Sequence, residues 1–216
     1  MATVKPFVSP SLTYETLEEK LDVKPKRAAM CIGIPKEDSF NENRIALTPE
    51  AVSVIVANGH EVNMETNAGV GANYSDKDYS EAGAKIILDK KTVFECDIIV
   101  KSAPVSEEDC ELLKLNQYII SPIHLAVMNR DILTKMMKKK ITALSFENLK
   151  DESGHNPIVR SMSEIAGSAV MLIAGQYLST ANNGKGVLVG GISGIPPTKV
   201  VIIGAGIVGE YAARTA

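Results

Sequence analysis

Lys199-Val-Val-Ile-Ile-Gly204-Ala-Gly206-Ile-Val-Gly209-Glu210 sets four β-branched residues directly before three glycines in the spacing G-x-G-x-x-G. A strand that runs into such a loop and then opens a helix is the arrangement that receives a dinucleotide pyrophosphate. Each glycine has its own task. Gly204 permits the tight turn, Gly206 lets the backbone approach the phosphates, and Gly209 lets the helix pack closely on the strand. The bland alternative is a glycine-rich turn with no ligand. A complete site also needs a second strand, ending about 20 residues on in an acid that holds the ribose. Only seven residues follow Gly209 here. The sequence is therefore expected to be the front part of a longer enzyme, inactive by itself.

Upstream of that loop the pattern alternates. Ala29 to Ile34, Glu61 to Glu65, Asp97 to Lys101, Gln117 to Ser121 and Ile141 to Phe146 read as short strands. Between them, Pro49 to Asn58 has helical periodicity, with Thr48 as N-cap and Gly59 as stop. Ser75 caps a helix through Tyr79 to Ala82, and Asn129 to Lys139 is a helix with basic residues in its last turn. Strand and helix alternating at short intervals give an α/β fold with a doubly wound parallel sheet of Rossmann or flavodoxin type. Ser161 to Leu178 is long and alanine-rich, with Met162, Ile165, Ala169, Leu172 and Ile173 at helical spacing, and reads as a connecting helix. Residues 1–28 form an extension punctuated by Pro6, Pro10 and Pro25, in which Leu12 to Leu21 is a candidate amphipathic helix. The domain reading is thus 1–28 extension, 29–160 first domain, 161–182 connecting helix, and 183–216 the truncated beginning of a second, NAD-binding Rossmann domain.

Composition narrows the function classes. The chain has 216 residues, 45% hydrophobic and 23% charged, with a net charge of −3. That is ordinary for a globular domain. Acidic and basic residues are mixed, so no field of one sign argues for nucleic acid or an anionic membrane. There is no tryptophan and little aromatic surface on which bases would stack. No apolar run is read as a membrane span. Cys31, Cys96 and Cys110 lack metal-ligand spacing, so no metal site is expected. An odd count is a poor disulfide framework, and buried thiols in a reducing, cytoplasmic compartment are the default reading.

Several segments together resemble the alanine dehydrogenase / pyridine nucleotide transhydrogenase family. They are Gly33-Ile-Pro-Lys-Glu37, Asn41-Glu-Asn-Arg44-Ile-Ala-Leu-Thr-Pro49, Gly59-His-Glu-Val62, Ala68-Gly69, Tyr79-Ser-Glu-Ala-Gly-Ala84, Ser161-Met-Ser-Glu-Ile-Ala-Gly167 and Gly190-Gly-Ile-Ser-Gly-Ile-Pro-Pro197, followed by the glycine loop. The resemblance runs from Met30 to Ala216. It implies two doubly wound domains, the first completed by a segment that returns after the nucleotide domain. It also implies NAD as cofactor, a small amino acid or 2-oxo acid in the cleft between domains, and self-association into a homo-oligomer. Family members interconvert L-alanine with pyruvate and ammonia, or pass hydride between NADH and NADP⁺.

By that resemblance Arg44 binds the substrate carboxylate, a role its two-pronged guanidinium suits. The alternative is a solvated loop arginine, or one that pairs Glu37 or Glu42. His124 in Pro-Ile-His-Leu-Ala would hydrogen-bond the substrate carbonyl and move a proton, against a histidine that merely packs at a strand end. Lys101 is the further catalytic candidate. Alanine dehydrogenases carry Leu-Lys-Val-Lys-Glu-Pro at this place, whereas this chain reads Val-Lys101-Ser-Ala-Pro104. An ungapped match gives Lys101 the first lysine's place; a one-residue deletion moves it toward the catalytic one. Transhydrogenases also lack the second lysine. Met162 and Ser163, at the expected start of the connecting helix, would face the nicotinamide end of the cofactor, or would belong to a simple cap. Gly204, Gly206 and Gly209 would hold the pyrophosphate. A non-catalytic assembly module remains the rival from another class.

Overall fold

The computed structural model describes residues 29–38 and 41–216; the helix expected over Leu12 to Leu21 lies outside them. Six parallel strands form one sheet. They are β1 (Cys31–Ile34), β2 (Glu61–Glu65), β3 (Lys85–Ile87), β4 (Ile98–Val100), β5 (Tyr118–Ser121) and β6 (Thr142–Ser145). Their order in space is β3-β2-β1-β4-β5-β6. The chain builds outward from β1 to one edge, then returns to β1's other side with β4. That reversal opens a crevice at the carboxyl ends of β1 and β4, where doubly wound sheets bind ligands.

The helices follow from their ends. α1 (Pro49–Ala57) has Thr48 as N-cap, with its hydroxyl accepting from the Ala51 N–H, and proline at its first position. α2 (Asp76–Glu81) starts in a reciprocal capping box between Ser75 and Asp78. The turns that leave these helices use Gly59 at φ 87° and Gly83 at φ 96°. α3 (Lys90–Val93) and α4 (Glu107–Leu112) come next, and α4 opens on a second capping box, Ser106 with Asp109. α5 (Arg130–Lys138) is capped by Asn129. The Lys139 ammonium that follows it donates to the carbonyls of Cys110, Glu111 and Leu113, closing the C-terminus of α4.

Alternation along the strands splits the core in two. Ile32 and Ile34 pack with Val52 and Tyr79 on the α1–α2 face. Ile99 and Ile119 pack with Phe94, Cys110 and Met136 on the α4–α5 face. Gly33 sits between. A methyl there would meet the Val93 carbonyl oxygen and lie 2.8 Å from Ile99 Cδ1. Gly33→Ala is expected to cost about 1–3 kcal/mol by overpacking, read as a lower denaturant midpoint at unchanged slope.

Five expectations are corrected. β3, α3 and α4 are present where the sequence reading placed no element. The connecting helix, α6 (Pro157–Leu178), begins four residues before Ser161. At 22 residues it is long and apolar enough to cross a membrane by length and composition, so the expectation of no such segment does not stand. Lys199 to Ile203 is not a strand. It pairs with no strand among the described residues, and Val201 and Ile203 are 84% and 98% exposed. Cys31 and Cys96 are not separate thiols. They pair as a disulfide, their Cα atoms 4.8 Å apart, because β1 and β4 begin side by side. Cys110 is a free, buried thiol, as expected, and burial pushes its pKa up. The last helix, α7 (Ile207–Thr215), starts directly after the glycine loop.

Candidate functional site

Four loops converge at the carboxyl edge of the sheet, after β1, β4, β5 and β6. The loop after β1 carries Glu37, Glu42 and Arg44. It is pressed against Gly71, where a methyl group would lie 2.9 Å from the Asn43 Cα. Glu42 grips Arg44 from the side: its Oε1 accepts from Nε at 2.8 Å and its Oε2 from Nη2 at 2.6 Å. The same carboxylate accepts the Arg44 backbone N–H. The hydrogen bonds from Arg44 hold the Glu42 carboxyl below its usual range, and the guanidinium's pKa rises in turn. The Arg44 side chain stays 57% exposed. Its Nη1 lies 3.9 Å from the sulfur of Met162 on α6.

The loop after β5 carries His124 with φ 44°, a left-handed conformation uncommon for a residue with a Cβ. Arg44 and His124 line one cleft of ≈ 320 Å³, together with Ser102, Phe146, Glu147 and Met162. An apolar cavity of ≈ 390 Å³ also has Arg44 and Met162 in its wall, against Ile32, Val100 and Ile120 of the sheet. A fixed cation beside an apolar chamber, with an imidazole in the same cleft, can hold a small carboxylate and exchange a proton with the group next to it.

Lys101 borders the apolar cavity beside Arg44, but its ammonium is turned to buried carboxylates. Its side chain is 4% exposed, and its ammonium lies 2.5 Å from Asp109 Oδ2 and 3.4 Å from Glu37 Oε2. The buried aspartate eight residues on, in the capping box of α4, is the main partner of that ammonium. Lys90 flanks the same aspartate at 3.3 Å and pairs with Asp38. Burial alone would raise the Asp109 carboxyl, but the two ammonium groups and the Ser106 N–H hold it below the usual aspartate range. Glu37 adds a brace across the crevice. Its Oε1 accepts from the N–H groups of Ser102 at 2.5 Å and Ala103 at 3.1 Å, tying the loop after β1 to the loop after β4.

Met162 and Ser163 stand in the second turn of α6 and not at its start. Ser163 Oγ donates to the Val159 carbonyl at 2.9 Å, so neither a cap nor the free N-terminus of the helix describes them. They separate two sides of the helix. Met162 borders the Arg44–His124 cleft, while Ser163 borders a ≈ 570 Å³ cavity shared with Gly204, Gly206 and Gly209. Gly204 has φ 111°, and a methyl on Gly209 would strike the Gly204 carbonyl oxygen. Nothing lies near the position a Gly206 Cβ would occupy, and Gly206 is the N-cap of α7 with no side chain on the helix's first N–H groups. The loop has the tight turn at Gly204 and the open approach at Gly206, and Gly209 packs against the Gly204 carbonyl, while the strand that precedes such a loop in a dinucleotide fingerprint is not formed. His60 accepts the Met30 N–H, and His155 lies at the surface beside Asp151.

A family model described as the alanine dehydrogenase/PNT N-terminal domain matches residues 33–166, and the C-terminal domain model of the same family matches 169–216. The chain belongs to the alanine dehydrogenase/PNT family. It is 41% identical over 189 residues to an alanine dehydrogenase of Methanococcus maripaludis, covering 87% of this chain and 50% of that protein. An alanine dehydrogenase of Bacillus subtilis is 37% identical, with 87% and 49% covered. Among solved structures, an L-alanine dehydrogenase superimposes with a TM-score of 0.81 at 35% identity, over 86% of this chain and 51% of that one. A transhydrogenase from Sinorhizobium meliloti gives 0.68 at 23% identity and bears on the fold alone. The chain spans about half the length of the curated relatives it matches. Glu147 lines the Arg44–His124 cleft and is a residue that the sequence reading did not single out. Its signal was position: an acid in the first residues after β6, at the same sheet edge as Arg44 and His124.

Proposed function

We propose that this chain is the substrate-binding half of an NAD-dependent alanine dehydrogenase, acting on L-alanine, water and NAD⁺ to give pyruvate, ammonia and NADH. The observation that carries this reading is the shared cleft of Arg44 and His124. In it, the Nη1 side of Arg44 takes the substrate carboxylate while Glu42 fixes the opposite edge. His124 hydrogen-bonds the carbonyl or carbinol oxygen of the reacting carbon and exchanges a proton there. Gly204, Gly206 and Gly209 hold the dinucleotide's pyrophosphate, with Ser163 on the wall of the same cavity; NAD, when bound, supplies the hydride acceptor. A carboxylate from the rest of the protein completes the acid–base set, as an aspartate does in the family. The intact protein is a cytoplasmic homo-oligomer in this reading.

The test is NADH formation by the intact protein with L-alanine and NAD⁺. Alanine-dependent reduction is the expected result. Hydride exchange between two nicotinamide nucleotides with no response to alanine would overturn it in favour of a transhydrogenase. The specific observation on that side is Lys101, whose ammonium is occupied by Asp109. Glu42→Ala is expected to raise the KM for pyruvate about tenfold, by releasing one charge-assisted hold on Arg44, with kcat little changed.

A further inference from the structure

Glu147 sits in the turn after β6 and touches the His124 loop at three points. Its Oε1 accepts the His124 N–H at 2.8 Å, and its Oε2 accepts the Ile123 N–H at 3.1 Å. The same Oε2 lies 3.4 Å from His124 Nδ1, within ion-pair reach but outside hydrogen-bond geometry, so a small ring rotation completes the contact. We propose that Glu147 is the positioning residue for His124: one carboxylate holds the left-handed turn, fixes the proton on Nδ1 and presents Nε2 to the cleft. The proposal rests on the function argued above and deepens it.

The need for such a hold is local. A φ of 44° is rarely adopted by a residue that carries a side chain, and persists only where surroundings impose it. Two consecutive N–H groups converging on one carboxylate impose it directly. On the other side, the His124 carbonyl accepts from the N–H groups of Val127 and Met128, so the turn is clamped from both ends. A carboxylate facing Nδ1 selects the tautomer protonated there, because it accepts and does not donate. The proton exchanged with substrate then passes through Nε2. The Nδ1 proton stays between imidazole and carboxylate, and Glu147 gains none.

Glu147 also reaches the other wall of the cleft. Its backbone carbonyl accepts from Asn156 Nδ2 at 2.6 Å. Asn156 is the N-cap residue of α6, the helix that sets Met162 against Arg44. One residue thus links the proton-transfer group to the helix beside the carboxylate anchor.

The experiment combines ¹⁵N NMR of histidine-labelled protein with steady-state kinetics. The chain has three histidines, so substitution of His60 and His155 assigns the signals. In the wild type, neutral His124 is expected as the Nδ1–H tautomer. In Glu147→Ala it is expected to move to the Nε2–H form that free imidazole prefers, with kcat falling roughly 10- to 100-fold. The KM for pyruvate stays within about threefold, because Arg44 keeps its grip. Glu147→Gln keeps an acceptor oxygen and loses the charge; it should show a smaller tautomer shift and a partial kcat loss at unchanged melting temperature, and it decides the matter if the alanine variant fails to fold. An unaltered tautomer with kcat unchanged in both variants overturns the proposal, as does a kcat loss that only follows lowered stability. Because the tautomer is read without turnover, a wild type that ignores alanine would defeat the functional reading while the NMR result still decides what Glu147 does.

Discussion

Lys101→Met is expected to lower folding stability by about 3–5 kcal/mol, the penalty for leaving a buried charge without its partner. The charge left behind is Asp109, fully buried, with Lys101 at 2.5 Å in the native protein. Only Lys90 at 3.3 Å would remain against it. Glu37 Oε2, which has no hydrogen bond, would lose its nearby ammonium as well. With its main counter-ion gone, burial raises the Asp109 carboxyl instead of being outweighed. The variant's deficit is therefore largest at neutral pH and shrinks as the solution is acidified and Asp109 takes up a proton. The wild type behaves in the opposite sense. Its Asp109 is held below the unfolded value, so that contribution is present above the ordinary aspartate range and is lost as pH falls through the depressed native value. Urea unfolding followed by circular dichroism at several pH values checks both slopes. A deficit below about 1 kcal/mol would mean that the pair contributes nothing beyond a surface contact. The double change Lys101→Met, Asp109→Leu removes both charges together and is expected to recover most of the stability. It also settles the catalytic candidacy of Lys101. A positioning lysine gives a double variant that is folded and active, whereas a lysine used on the substrate gives one that is folded and inert.

That buried cluster also marks where sequence stops informing structure. Thr48, Ser75 and Asn129 announce their helices because a cap acts on residues two or three positions away, and local chemistry is visible in local sequence. The capping box Ser106–Asp109 was equally visible and went unread, since α4 is only six residues long. Lys85–Ile87 has too few residues for a period to emerge. Lys199 to Ile203 shows the converse. Four β-branched residues favour a strand, but a strand exists only with partners. Arg44 and His124 were picked out by the resemblance of their motifs to the family's, and the structure puts both on one cleft. What each touches was not legible: Glu42 is two residues from Arg44, but Glu147 lies 23 residues from His124 and meets it only through the parallel crossover that sets β6 beside β5. The Cys31–Cys96 pair, 65 residues apart, depends in the same way on β4 returning to β1.

Arg44→Met is expected to lower kcat/KM for pyruvate roughly a thousandfold, chiefly through KM. A guanidinium offers two edges to carboxylates. Glu42 occupies the Nε–Nη2 edge, and Nη1 points toward Met162 and the cleft. Hydrogen bonds to charged groups contribute about 1.5–3 kcal/mol each, and losing a pair of them is worth about 4 kcal/mol, or three decades. Arg44→Lys keeps the charge and loses the fork, so an intermediate loss of about a hundredfold is expected. Pyruvamide separates anchoring from general damage. The wild type should strongly prefer pyruvate to its amide, and Arg44→Met should treat the two alike, because the discrimination resides in the carboxylate–guanidinium contact. A methionine variant within tenfold of wild type, or one that keeps the preference, would place the carboxylate elsewhere. The neighbouring Lys36, which lines the polar pocket on the other side of Arg44, would then be the next cation to replace.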